Sequence, residues 1–513
     1  MADQGRVDTA VTLRRGRLSN SAVLFQSVSQ VAPAGGIATV AILGANFAGG
    51  ALTLATIISV IACLLTALSV AQLARYLPSA GSLGTYVARG LGGGTGFVTG
   101  WMYAISELLI VSFVALLIGG VVSGVGSSEF GWPVTATWVV TVAVMYLLVA
   151  AVHELGVTVS TRVQIVISTV EILLFVVLSV VLIVKAGASN SLSLFGTAHG
   201  NVKGYVGAAG LFPAAVFIIT AFGGFETAAS LAEEAREPRR AVRTAVVAAV
   251  LGVGVLYVLT AYAATAYFGP DRMGAFAAFN GGDPWTGMTR AVWGVGWVAL
   301  FLVVVNSLYG AGNAATNVST RMLMSLGRSG LGPRQLGRVS RRHTPSTALA
   351  ITAVAGLGMA LWLGAQYGPI TGLSIMVVTS TALYIAIYIL VNLACVAYFL
   401  RHRREEFRWL SHFVLPVVGA AVFVPVLLSE LGIPVFSFIS RLQAPLTYGA
   451  YAAAAIAVTA VAFAGYFAVA RPGWLSRLGV AFDETGPAGH APASPARQQP
   501  ERPGAGPLRQ GGT

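Results

Sequence analysis

From about residue 22 to residue 470 the chain keeps repeating one arrangement: a long apolar run, a short polar interruption, and another apolar run. A helix of about 20 residues crosses roughly 30 Å of hydrocarbon, and each run reaches that length. The runs lie at approximately 22–47, 51–73, 97–122, 134–152, 163–184, 209–231, 241–268, 292–320, 347–366, 371–400, 412–430 and 446–470. They predict an all-α polytopic membrane protein with about twelve transmembrane helices. With 56% hydrophobic and 10% charged residues over 513 positions, the balance is not that of a soluble globular protein.

A formal net charge of +13 could mark a nucleic-acid binder, but the position of the charges argues otherwise. The basic segments "REPRRAVR" (236–243), "RSGLGPRQLGRVSRR" (328–342) and "RHRREEFR" (401–408) all fall in loops on one side of the predicted spans. Of the 31 Lys and Arg, only Lys185, Lys203, Arg272, Arg290 and Arg441 fall on the other side. This bias is the positive-inside pattern, which puts both termini in the cytoplasm of a multi-pass protein of the cytoplasmic membrane. No nucleic-acid partner is expected; the lipid bilayer is.

Residues 1–20 are polar, with Arg6, Arg14, Arg15 and Arg17, and read as a cytoplasmic tail rather than a signal peptide. Residues 471–513 are rich in Pro, Gly, Ala, Gln and Arg without apolar periodicity and read as a disordered cytoplasmic tail. Residues 21–470 form the membrane domain between them.

Several chemistries are missing. Lys185 and Lys203 are the only lysines, and neither lies in the GxxxxGK[ST] loop of a nucleotide-driven pump. "HELGV" (153–157) has Val157 where a zinc-protease helix needs its second histidine. No GxSxG elbow occurs. Cys63 and Cys395 sit in separate spans, so neither a disulfide framework nor a zinc cluster is implied. An enzyme is not expected, nor a cofactor or metal.

Two spans break their own pattern. "SQVAPAGGIATV" (29–40) sets Pro33, which lacks an N–H, beside Gly35 and Gly36. "TAFGGFETAAS" (220–230) sets Gly223 and Gly224 beside an ionisable Glu226. Irregular backbone inside a bilayer survives only where it is buried or lines a cavity. Five crossings separate the breaks, so halves that begin with them run in opposite directions, as in an inverted repeat. Half-helix N-termini suit an anion and freed carbonyls suit a cation, and a zwitterion needs both.

A charged carboxylate in the membrane interior costs roughly 2.5 kcal/mol or more, which makes Glu226 the first candidate for proton coupling. Glu107 in "WMYAISELLIV" and Glu171 in "RVQIVISTVEILLF" are further candidates. Asn306, Ser307, Asn313 and Asn317, with Thr379, Ser380 and Thr381, either line a cavity or bond helix to helix.

At these residues the chain resembles the amino acid–polyamine–organocation superfamily, specifically its bacterial amino acid permeases, over about 20–470. "AGGI" (34–37) is similar to the first-span motif, and "ARYLPSAGSLGTYVARGLGGGTGFVTGW" (74–101) to the segment between spans two and three. "AFGGFETAASLAEEAREPRR" (221–240) and "RMLMSLGRSGLGP" (321–333) resemble the sixth-span exit and the loop after span eight. The chain departs from the family pattern at Pro33 and Ala34, at Glu237 in place of Asn, and at Arg243 in place of a second proline.

The resemblance implies a LeuT-like 5+5 inverted repeat with discontinuous helices 1 and 6. Repeat one covers about 22–184, repeat two about 209–400, and two extra helices about 412–470. It implies a carboxylate held by N–H groups around Ala34, Gly35, Gly36 and Ile37. The substrate's amine would rest on carbonyls near Thr220, Ala221 and Gly223, with Phe222 as an inner-site gate or a packing residue. Thr220 stands where the arginine–agmatine exchangers carry a tryptophan, which disfavours a large planar cation. Some proton-coupled relatives have a lysine at the position of Glu171, so the carboxylate there reverses the sign and suits a proton, a cationic substrate or a sodium ion. The expected activity is secondary import of an amino acid, proton-coupled, by alternating access. An amino acid or polyamine exchanger is the alternative within transporters; a membrane-embedded enzyme or transport-like sensor is the alternative outside them. Oligomeric state is left open.

Overall fold

The apolar runs are helical, and most end at a glycine or proline, whereas Pro369–His402 stops in a charged segment. A computed structural model describes residues 19–77, 81–155, 161–328, 333–338, 340, 344–433, 435 and 440–470. The expectations for the tail 471–513, for nearly all of 1–20 and for part of the basic loop at 328–342 fall outside the described residues.

In chain order, α1 is Asn20–Val31, capped by Ser19 Oγ, which accepts from the Ala22 N–H at 3.2 Å. Helix α2 covers 33–48, with one looser turn at Gly36–Val40. Then follow α3 (Leu52–Tyr76), the short α4 (Ser82–Leu91), α5 (Gly93–Phe130), α6 (Val134–Leu155) and α7 (Thr161–Ala186). A two-stranded antiparallel ribbon, β1 (Asn201–Val202) and β2 (Tyr205–Val206), precedes α8 (Leu211–Phe222). A tight helical segment, Phe225–Glu234, leads into α9 (Pro238–Phe268). Beyond it lie α10 (Pro284–Trp293), α11 (Trp297–Arg328), α12 (Ser346–Tyr367), α13 (Pro369–His402), α14 (Leu415–Glu430) and α15 (Thr447–Ala470).

Among the described residues, 11 helical runs are long and apolar enough to cross a membrane, against the twelve expected. The difference lies in the first span. Helix α1 has 12 residues, about 18 Å at 1.5 Å per residue, which is too short to cross alone. Its continuation, α2, merges with α3 into the run Ala41–Tyr76. The chain is an all-α, multi-pass membrane protein whose first crossing is made in two pieces. Helix α5, at 38 residues, overshoots its predicted limits of 97–122 at both ends, stopping only where Gly131 takes φ 68°.

Burial separates the centre from the rim. The run Gly207–Ala232 has 83% of its most apolar window buried in the protein, whereas Thr447–Ala470 has 17%. The sixth crossing is therefore walled on all sides, and the last helix lies at the periphery. Large apolar side chains such as Leu147, Val184, Val255, Val354 and Val458 point outward, where hydrocarbon rather than water is their solvent. The interior is closed by α1, α5, α8, α11 and α13, which surround the two breaks.

Candidate functional site

The first break is set by one dipeptide. Proline at 33 removes a donor, and its ring would meet the carbonyl one turn earlier, which favours an interruption of the helix at this point. The residue before proline is pushed out of the helical region, and Ala32 takes φ 49°, ψ 73°, a left-handed conformation costing roughly 1–2 kcal/mol for a residue with a Cβ. A new helix starts at Pro33 with no side chain capping it. The N–H groups of Ala34 and Gly35, in its first turn, point back into the break. That of Gly36 is already given to the Ala32 carbonyl at 2.7 Å.

The second break is a glycine pair. Helix α8 stops at Phe222; Gly223 turns to φ −51°, ψ 129°, and Gly224 reaches φ 104°. No other residue fits at 224: a Cβ there would lie 2.3 Å from Cγ of Gln30, on α1.

One hydroxyl joins the two breaks. Tyr257 Oη, from α9, lies 2.9 Å from the Ala221 carbonyl and 3.3 Å from the Val31 carbonyl. A hydroxyl has one proton, so the shorter contact carries the bond and the longer one is a weak second acceptor. A Cβ on Gly36 would stand 2.0 Å from that same oxygen, and one on Gly35 would stand 2.7 Å from Leu308 Cδ2. The two glycines let a tyrosine and a leucine close over the helix start. On the other side of the breaks, Ser27 Oγ donates to the Phe225 carbonyl (2.8 Å) and accepts from the Ala228 N–H (3.0 Å). Phe222 is fully buried with its ring 4.8 Å from that of Tyr257.

Beside the breaks sits a carboxylate centre. Glu107, on α5, accepts from Gln30 Nε2 at 2.7 Å on one oxygen and from Tyr384 Oη at 2.7 Å on the other. Glu226 accepts from Tyr388 Oη at 3.1 Å on Oε2, while its Oε1 is buried without a hydrogen-bond partner. Tyr384 and Tyr388 are one turn apart on α13 and serve the two acids from one helix face. Gln30 Oε1 and Tyr103 Oη are also buried without partners here. Unpaired polar atoms inside a membrane protein are costly.

The expected residues therefore divide into groups. Ala34, Gly35, Gly36 and Ile37 lie together with Thr220, Ala221, Phe222 and Gly223, all of them buried. In this arrangement the Thr220 carbonyl takes the Gly223 N–H at 2.9 Å and the Ala221 carbonyl takes Tyr257. Glu107 and Glu226 are joined through the two tyrosines. Glu171 is apart from them, buried on α7, where Asn306 Nδ2 donates to it at 3.0 Å. Of the polar residues in spans eight and ten, Thr381 bonds the Val216 carbonyl and the Thr220 hydroxyl, joining α13 to α8; Thr379 only bonds back to Ile375.

Sequence reading passed over Ser27, Gln30, Tyr257, Tyr384 and Tyr388. Three of these left a signal: Gln30 is an amide three residues before the helix-breaking proline, and the tyrosines of "TALYIAIYIL", Tyr384 and Tyr388, are spaced i, i+4. Tyr257, one aromatic among many in its span, left none.

The model of the family described as amino acid permease matches residues 22–472. The chain is similar to the branched-chain amino acid permease BcaP of Bacillus subtilis, 27% identical over 60% of this chain and 66% of that one. It is 26% identical to the lysine-specific permease LysP of Lactococcus lactis, over 56% of this chain and 58% of that one. The amino-acid permease GAP5 of Candida albicans is 25% identical, over 60% of this chain and 50% of that one. These alignments thus cover between half and two thirds of each relative's length. The family match runs unbroken across both broken helices, the carboxylate centre and the crossings that enclose them, and on that extent the chain belongs to the amino acid permease family.

Proposed function

We propose that this permease imports an amino acid across the cytoplasmic membrane together with protons, by alternating access around the paired breaks. The observation that carries the reading is Tyr257, whose hydroxyl lies within reach of the carbonyl ends of both broken helices at once. In this reading the arrangement is a closed one. The substrate's carboxylate takes the N–H groups of Ala34 and Gly35, within the turn Ala34–Ile37, and its ammonium replaces the Tyr257 proton at the Ala221 carbonyl, with the Thr220 and Gly223 carbonyls beside it. Phe222, against the Tyr257 ring, moves with that exchange. A LeuT-like 5+5 repeat accounts for the opposite sense of the two breaks, and the excess of arginine on one set of loops supports cytoplasmic termini.

The carboxylates take different roles. Both oxygens of Glu107 accept a hydrogen bond, which suits a fixed acceptor that positions Gln30 and Tyr384. Glu226 keeps one oxygen without a hydrogen-bond partner, which leaves a place for a proton. We assign proton exchange to Glu226. Glu171, held by Asn306, is a separate coupling position.

The test is thermal stabilisation of the purified protein by each of the twenty amino acids and by polyamines, followed by uptake into proteoliposomes. A ligand that binds only the folded state raises the melting temperature. Stabilisation by an amino acid that is also taken up supports the reading. Uptake that requires an internal amino compound selects exchange instead, and indifference to every compound overturns the assignment.

A further inference from the structure

A cavity of about 400 Å³ lies at the end of the molecule where α5 finishes and α10 and α13 begin, remote from the arginine-rich loops. Its walls are apolar, from Ile42, Leu117 and Leu373 among others, and three ionisable groups face it: Glu129, Asp283 and Arg290. Arg290 Nη2 lies 2.6 Å from Glu129 Oε1, and its guanidinium sits 4.6 Å from the Trp297 ring centre. Both partners of the ion pair are partly exposed, which makes it a weak contact that can be exchanged. Asp283 is the N-cap of α10, seven residues before Arg290, and both line the cavity. One of its oxygens accepts from the Thr286 N–H at 3.1 Å, and burial pushes its carboxyl above the ordinary range against the lowering effect of the Thr286 hydrogen bonds. The floor of the cavity is α2 itself: Thr39 lines it and donates to the Gly35 carbonyl at 2.5 Å, at the helix start where the broken-helix site begins.

A cation and an anion in the wall of one apolar chamber match the two ends and the carbon side chain of a zwitterion. We propose that this vestibule is an earlier binding site for the amino acid, in which the substrate's carboxylate displaces Glu129 from Arg290 and its ammonium rests on Asp283. The inference rests on the transport reading and adds a specificity step to it. Arginine suits the exchange because its planar fork offers five donors, of which one is engaged by Glu129, and a free carboxylate can take two in parallel. Glu129 is then a competitor that occupies Arg290 until substrate arrives.

That competition supplies the test. Uptake of each of the twenty tritiated L-amino acids into proteoliposomes holding the full chain identifies the best-transported one, and its apparent KM is measured for Glu129→Gln, Arg290→Gln and Asp283→Asn. Losing one charge-assisted contact in Arg290→Gln or Asp283→Asn raises the apparent KM about tenfold. Glu129→Gln removes the competitor and lowers it. If the ion pair were only a structural latch, Glu129→Gln and Arg290→Gln would break the same contact and shift KM in the same direction. That outcome, or no shift in either, overturns the vestibule site while leaving the transport reading intact. Should Arg290→Gln fail to fold, the sign of the Glu129→Gln shift still decides the question. A parent protein that takes up none of the twenty overturns the transport reading, and the vestibule assignment falls with it.

Discussion

At the scale of single residues, the account turns on one hydroxyl and one carboxyl oxygen. Tyr257 Oη fills the place that a Cβ on Gly36 would need, 2.0 Å away. Gly36→Ala should therefore destabilise the folded protein by about 1–3 kcal/mol, the range for overpacking a filled interior. Tyr257→Phe, which gives up a single hydrogen bond, should cost about 1 kcal/mol. Combining them should cost less than their sum, because the atom that clashes is gone; melting temperatures of the four proteins in one detergent check the cycle. Strict additivity would mean that Tyr257 does not occupy the break. Glu226→Gln keeps an acceptor for Tyr388 and loses only the ability to ionise. It should fold and bind substrate, while its uptake rate loses the parent's pH dependence. A variant with the parent's pH profile removes Glu226 from the proton path, although the broken-helix site would stand.

The sequence pointed to Gly36 and Glu226 but not to Tyr257. The glycines and the acid are anomalies within apolar runs, where either carries a cost that asks for a reason. A tyrosine in a membrane helix is no anomaly, and its partners at Ala221 and Val31 are backbone atoms, which leave no pattern in a sequence.

Among the elements, the two breaks were legible because proline and paired glycines act on the chain's own dihedrals. Ala32, at φ 49°, could be anticipated only as the residue before Pro33, and the left-handed form it takes comes from the packing around it. The partner of Gly224 was hidden for the same reason: Gln30 is 194 positions away along the chain, and only the crossing of α1 beside the second break brings them together. Gly224→Ala adds a strained φ of 104° and a Cβ 2.3 Å from Gln30, so it should displace the amide from Glu107 as well as strain the turn. A loss of about 2 kcal/mol or more and collapse of uptake are expected. Gly252→Ala, in α9 with nothing within 4 Å of the added carbon, is the matched control and should behave as the parent. Equal effects at the two positions would deny the second break its special geometry.

For the molecule as a whole, hydropathy and charge placement were enough to give an all-helical membrane protein, because a bilayer leaves a helix no alternative to satisfying its own backbone. The run that does not form one long helix is the first, where the break read at Pro33 divides it. The sequence patterns ranked Glu226 ahead of Glu107 and Glu171 but gave no partners for any of the three. The structure separates a doubly bonded Glu107, a half-free Glu226 and a remote Glu171, and the difference lies in which tyrosines and amides reach each acid. In the proposed mechanism the two breaks serve one substrate and Glu226 exchanges a proton beside them, so driving one flux should drive the other. The direct measurement is accumulation of the stabilising amino acid in proteoliposomes under an imposed pH gradient, acid on the side of entry. The account predicts uphill accumulation that collapses when a proton ionophore is added. Accumulation indifferent to both the gradient and the ionophore would contradict it.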